Sequence, residues 1–269
     1  MDLAHRVKPG ARVSLSAIPT DSTGPFSGKD DPRVKERLES DLARLADLGA
    51  RLYAEKKQSL LVVLQAMDTA GKDGVLKHVV GPLDSRGLHV WSFGAPSEEE
   101  RAHDFLWRFH FKAPRQGEMA FFNRSYYEDV LVVRVMNLEP RSVWKQRYQA
   151  IRDFERMLAD RGTRVIKFYL HISKGEQRRR LQERIDVPDK RWKLDPRDFE
   201  ARKHWDSYRR AYEDALSECA TKEAPWYVVP SDHKWFRDLA VASALTEMLE
   251  EMKPQYPKPT MDVSKIVIP

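Results

Sequence analysis

Short apolar runs alternate with polar stretches along most of this chain, and the runs come in two periodicities. From Pro32 onward, Val34, Leu38, Leu42, Leu45, Leu48 and Leu52 recur at spacings of three and four. That spacing lays one apolar stripe on an amphipathic helix. Asp30 and Asp31 are candidate caps and Pro32 suits the first turn. Residues 59–65 (SLLVVLQ) form a continuous apolar run, partly β-branched and polar at both ends. A buried parallel strand fits that pattern. The alternation then repeats. Residues 88–93, 119–122, 164–172 and 226–229 read as strands. Residues 73–80, 97–109, 140–160, 173–185, 196–220 and 233–252 read as helices. Ser97 with Glu100 and Ser173 with Glu176 have the spacing of a capping box. About five short strands alternating with helices predict an α/β fold, a parallel sheet covered on both faces. Residues 1–31, rich in Pro, Gly, Ser and Asp, predict an extended arm with little core of its own. Residues 32–253 then form a single domain, in which 173–220 project as a helical lid, and the Pro-rich tail 254–269 lies over the surface.

Composition narrows the possible functions without choosing one. The chain has 269 residues, 41% hydrophobic and 33% charged, which is ample for a core under a polar surface. Lys and Arg total 47 against 41 Asp and Glu, a net charge of +6. A modest positive balance admits a polyanion but does not identify it. The single cysteine, Cys219, excludes an intrachain disulfide framework. The eight histidines show no metal-ligand spacing. No apolar run is long enough to span a bilayer, and the first residues lack a secretory apolar stretch, so the expected compartment is the cytoplasm.

The strongest chemical signal lies between the strand at 59–65 and the helix at 73–80. The connecting residues, AMDTAGKDG (66–74), resemble a P-loop. In such a loop, consecutive N–H groups and a helix N-terminus cradle phosphate while a lysine reaches the transferring group. Ala70, Gly71 and Gly74 are small where backbone approaches an anion, and Lys72 stands at the lysine position. Two positions depart from the G-x-x-x-x-G-K-[ST] pattern. Ala66 replaces the first Gly, and Asp73 replaces the hydroxyl that would hold Mg²⁺. Asp68 lies in the loop, and a carboxylate there needs a cation between it and phosphate, which makes it a metal-ligand candidate.

Three stretches carry a wider resemblance. LVVLQAMDTAGKDGVLKHV, FLWRFHFKAPRQGEMAFFNRSYYEDVLVVRV and ISKGEQRRRLQERIDVPDKRWKLDPRDFEARKHWDSY occur in that order, and the likeness covers roughly residues 30–250. This resembles the polyphosphate kinase 2 family, P-loop enzymes related in fold to thymidylate kinase. The resemblance implies a P-loop kinase fold with a helical lid. The implied reaction is reversible, Mg²⁺-dependent phosphoryl transfer from inorganic polyphosphate to AMP or ADP, giving ADP and ATP. Mn²⁺ is the alternative metal. The family pattern carries an Asp four residues before the Lys, matched by Asp68 and Lys72. In the second stretch Asn123 replaces the Asp of many members, so the resemblance does not imply a direct metal contact there. Its pattern looks like the class III subgroup associated with both AMP and ADP. Glu128 is then the second metal-side carboxylate, and Arg124 clamps phosphate. Asp68, Lys72 and Arg124 are the implied catalytic set. Thr69, Ala70, Gly71, Asp73, Gly74, Lys77, Asn123, Glu128, Arg179, Arg180 and Lys193 are implied for phosphate or nucleotide, the last three from the Arg- and Lys-rich lid. Lys77, and less strongly Arg108, Lys112 and Arg115, are placed for a polyphosphate tail. Members commonly form dimers or tetramers. Two alternatives stand beside this reading: an ATP-dependent nucleoside monophosphate kinase on the same fold, and a basic nucleic-acid binder. Interleaved acids and bases and the lack of a nucleic-acid module weigh against the binder, and no membrane partner is expected.

Overall fold

The computed structural model describes residues 3–262, 266 and 268. Six strands form one sheet: β1 (His5–Arg6), β2 (Ser59–Ala66), β3 (Leu88–Ser92), β4 (Met119–Asn123), β5 (Thr163–His171) and β6 (Trp226–Pro230). Their order is β1-β6-β5-β2-β4-β3, all parallel except β1 on β6. β2 is buried along its whole length, as its unbroken apolar run requires. The chain leaves β2 toward β4 and β3 on one side, then crosses to β5 and β6 on the other. The strand order therefore reverses at β2 and β4, and ligands bind outside the carboxyl ends of strands at such a switch point.

The helix α1 (Pro32–Glu55) starts where the caps predict. Asp31 accepts from the Arg33 N–H, Pro32 occupies the first turn, and the helix stops at Lys56 in a left-handed conformation. Its stripe residues Val34, Leu45, Leu48 and Leu52 are buried. Several predicted helices are broken. The P-loop helix is α2 (Lys72–Val75), continued by a π-helical turn at Leu76–Val80. Residues 97–109 divide into α3 (Glu98–Ala102) and α4 (Trp107–His110), because the Asp104 carboxylate accepts from the Leu106 N–H and diverts the chain. A short α5 (Val132–Val135) then precedes α6 (Arg141–Asp160). The predicted 173–185 helix is α7 (Lys174–Asp186), and the last predicted helix is α10 (Lys234–Met252).

Two expectations about organisation change. The arm at 1–31 has core residues after all: β1 joins the sheet, Val7 and Leu15 are buried, and His171 Nε2 meets the Leu15 and Ile18 carbonyls. The projecting lid is also shorter than 173–220. The chain breaks at His204 into α8 (Pro196–Lys203) and α9 (Trp205–Cys219). Ala211, Tyr212, Ala215, Leu216 and Cys219 of α9 belong to the core, so only about residues 187–204 stand out from the body. Of the tail, residues 255–262 are exposed and part of the remainder lies outside the described residues. No helix among the described residues is long and apolar enough to cross a membrane.

Candidate active site

The P-loop follows β2 directly. Ala66 is the last residue of that strand, in register with Leu170 of β5. It is extended where a glycine would otherwise begin the loop, so no left-handed turn demands Gly there. The turn comes later. Thr69 adopts φ 66°, unusual for a residue with a Cβ, and Gly71 adopts φ 113°. The Thr69 hydroxyl is buried without a partner among the described residues.

Arg124 immediately follows β4 at φ 64°, a second strained non-glycine position. Its guanidinium donates to Asp68 Oδ1 at 2.7 Å and to Glu128 Oε1 at 3.4 Å. The sheet thus brings the ends of two distant segments together: Asp68 from the loop after β2, Arg124 and Glu128 from the loop after β4. Both carboxylates raise the Arg124 pKa above its ordinary value, Glu128 most, against the opposing effect of burial. Lys72 moves the other way. Desolvation lowers its pKa first and Arg124 adds to this, while Asp68, Glu128 and Asp73 oppose the shift. An anion at this mouth would offset the desolvation of both cations.

Asn123 does not meet Asp68. Its amide donates to Asp73 Oδ1 at 3.2 Å and to Ser92 Oγ at 3.3 Å. Gln65 donates to Glu128 Oε1 at 3.3 Å. The amide oxygens of Asn123 and Gln65 are buried without partners among the described residues. The Asp68 and Glu128 carboxylates, joined through Arg124, are oxygen donors suited to a hydrated Mg²⁺, which takes one or two carboxylates and completes its shell with water and substrate phosphate. Among the described residues, no cluster of three or more acidic, His or Cys side chains could hold a metal by itself.

The lid residues fall into different roles from those the sequence suggests. Arg180 is buried and does not face the mouth. Its guanidinium donates to Glu176, to the Thr69 and Ala70 carbonyls, and to the Ser231 and Asp232 carbonyls. All of that binding capacity is committed behind the loop. Arg179 is exposed and grips Glu176 with two nitrogens at 2.6 and 2.5 Å. Glu176 thereby serves two arginines instead of the Ser173 N–H, so the second capping box is only half formed. Ser173 Oγ still accepts from Glu176 N, while the Ser173 N–H goes to Asp232. Lys193 is exposed, with its ammonium 5.0 Å from the ring of Trp192, which is 79% exposed. Lys77 is exposed on the π-turn and makes no ion pair among the described residues. The other tail candidates are engaged. Arg108 is buried on the Gly94 carbonyl and Glu100, Arg115 holds Glu118, and Lys112 lies over Trp91.

Sequence reading missed Gln177 and Arg237. Gln177 is buried within the arginine run, and its amide donates to the Asp68 carbonyl at 3.0 Å, tying α7 to the loop. A buried Gln amid arginines gives no signal of its own. Arg237 lies behind the loop on α10, and its signal is an Arg–Asp pair just ahead of the mostly apolar stretch 239–245. Asp198 of α8 lies close enough to Asp68 that the latter's charge, after burial, helps raise its pKa. Arg184 holds Asp198 at 2.9 Å.

A sequence model of the family described as polyphosphate kinase 2 matches residues 28–257. The chain is 51% identical over 264 residues to the AMP/ADP-polyphosphate phosphotransferase of Meiothermus ruber, covering 98% of each chain. It is 42% identical to the ADP-polyphosphate phosphotransferase of Rhodopseudomonas palustris, covering 95% of this chain and 92% of the relative. The crystal structure of polyphosphate kinase 2 from Arthrobacter aurescens superimposes with a TM-score of 0.91 at 41% identity, covering 96% of this chain and 92% of that one.

Proposed function

The chain belongs to the polyphosphate kinase 2 family, and on that premise we propose that it moves a phosphoryl group between inorganic polyphosphate and AMP or ADP. The observation that carries the reading is the convergence of Lys72, Asp68 and Arg124 at the switch point of the sheet, on a loop of P-loop form. In the forward direction an oxygen of the AMP α-phosphate or the ADP β-phosphate attacks the terminal phosphorus of polyphosphate. A new P–O–P bridge forms, and the bridge to the next phosphate breaks, leaving the chain one unit shorter. The acceptor is already ionised, so no strong general base is needed; positioning and charge stabilisation dominate. Lys72 and the loop N–H groups hold the transferring group. Arg124, released from its carboxylates as phosphate arrives, offsets charge on the equatorial oxygens. Asp68 and Glu128 are the residues that would hold Mg²⁺, or Mn²⁺ in its place. When bound, that ion would supply positive charge that offsets the negative charge of the phosphates.

Purified protein given AMP, Mg²⁺ and polyphosphate, with no ATP, is expected to form ADP and then ATP. Activity confined to ATP plus a nucleoside monophosphate would overturn the polyphosphate reading and favour an ordinary nucleoside monophosphate kinase. Support for both acceptors comes from the first relative, whose name carries AMP and ADP together.

A further inference from the structure

Arg237 is 2% exposed, yet it sits directly beneath the phosphate-binding loop. A Cβ on either Gly71 or Gly74 would overlap its guanidinium. These glycines therefore leave room on the inner side of the loop for an arginine, whatever they do on the outer side. Asp238 holds that arginine through Oδ1, accepting from Nε at 2.9 Å and Nη2 at 2.7 Å. The other Asp238 oxygen lies 2.9 Å from His78 Nδ1 on the π-turn of the loop's own helix. Arg237 Nη1 reaches the Ala70 carbonyl at 3.3 Å. Arg180 reaches the same carbonyl from α7 at 2.9 Å and the Thr69 carbonyl at 3.0 Å.

We infer that Arg180 and Arg237 are positioning residues that draw the Thr69 and Ala70 carbonyls inward, fixing the turn and so aiming the Gly71 N–H at the transferring phosphoryl group. The peptide unit is planar and trans, so a carbonyl fixed on one side turns the next N–H to the other. The Thr69 carbonyl turns the Ala70 N–H, which closes the turn on Met67 at 3.2 Å. The Ala70 carbonyl turns the Gly71 N–H outward. Without the arginines, these carbonyl oxygens would be free to rotate toward the mouth and repel phosphate. The arrangement holds two buried guanidiniums near one another. Burial, with Arg237 as a further contributor, lowers the Arg180 pKa against the pull of Glu176. A pair of cations packed that way needs the carbonyls and carboxylates between them to stay in place, which makes the loop resistant to rearrangement.

The inference rests on the phosphoryl-transfer reading above. Arg237→Lys and Arg180→Lys keep the charge but lose the forked donors. Each is expected to lower kcat about 10- to 100-fold, the usual consequence of ångström-scale misplacement, with KM for both substrates within about threefold. A kcat within about threefold of the parent, in a variant that melts at the parental temperature, would overturn it. Gly74→Ala tests the same point without removing either arginine. Gly74 is helical and Ala is the better helix residue, so its methyl harms only through Arg237. It is expected to lower kcat when made alone and, added to Arg237→Ala, to raise the melting temperature above that of Arg237→Ala. Unchanged kcat in Gly74→Ala alone would also overturn the inference. Should the parent use ATP rather than polyphosphate, the functional reading falls, while the same kcat comparison made with ATP still tests the clamp.

Discussion

Lys72 sits among three carboxylates and one guanidinium, and its charge is held there at the cost of its hydration. Removing it, or neutralising Asp68, takes away one preorganised charge contact. Lys72→Ala and Asp68→Asn are each expected to lower turnover by about 10²-fold or more, measured as ADP formed from AMP and polyphosphate. Near-normal turnover in both would sink the assignment of the site. Asp129, one residue beyond Glu128, shows the opposite balance. Burial raises its pKa to about 6, against the pull of Arg147 and Arg108. The unfolded value is near 3.8. The folded protein therefore keeps a proton that the unfolded chain releases, and stability falls as pH rises from about 4 to about 6. Asp129→Asn is expected to flatten that slope in denaturant titrations across the window. An unchanged slope would remove Asp129 from the account.

At the scale of elements, the segment bearing Arg124 is anchored from below by a buried polar network. Lys167 of β5 is fully buried and donates to Glu155 of α6 at 2.6 Å, to Tyr127 OH at 3.0 Å and to the Cys219 carbonyl of α9 at 2.7 Å. Tyr126 and Tyr127 both donate to Glu155 Oε1. All three Lys167 protons are used, so the charge is compensated where water cannot reach. Lys167→Met leaves Glu155 buried and unpaired, and is expected to cost about 3–5 kcal/mol in chemical denaturation. Glu155→Gln with Lys167→Met should recover part of that loss. A single variant as stable as the parent would show the network to be dispensable. The tyrosines of the second motif thus hold the turn from which Arg124 projects, a task the sequence pattern did not reveal.

Across the whole molecule, the net charge of +6 is the small remainder of many paired charges. Arg179, Arg184 and Arg197 of the lid region each hold a carboxylate, as does Lys190 with Glu183. The arm is likewise part of the body. Leu15 is 1% exposed beneath α9, with its N–H on Glu213 at 2.8 Å. Leu15→Ala is expected to lower stability by about 2–5 kcal/mol, read from the denaturation midpoint. No shift in the midpoint would return the arm to the status of a detachable extension.

The sequence by itself determined five of the six strands and most of the helices, because apolar periodicity and capping residues act locally. Asp31, Pro32 and Ser97 stand where their helices begin, and the run at 59–65 is the central strand. It also marked the loop and the Asp68–Lys72 spacing, since a P-loop is contiguous. It could not tell which arginines face phosphate. Arg179 and Arg180 are neighbours in the chain, yet one lies at the surface and the other is buried against carbonyls from 69–70 and 231–232. Nor could it show that Gly71 and Gly74 leave space for Arg237, which lies more than 160 residues away in the chain. Those pairings depend on which faces the sheet brings together, and only the tertiary structure decides that.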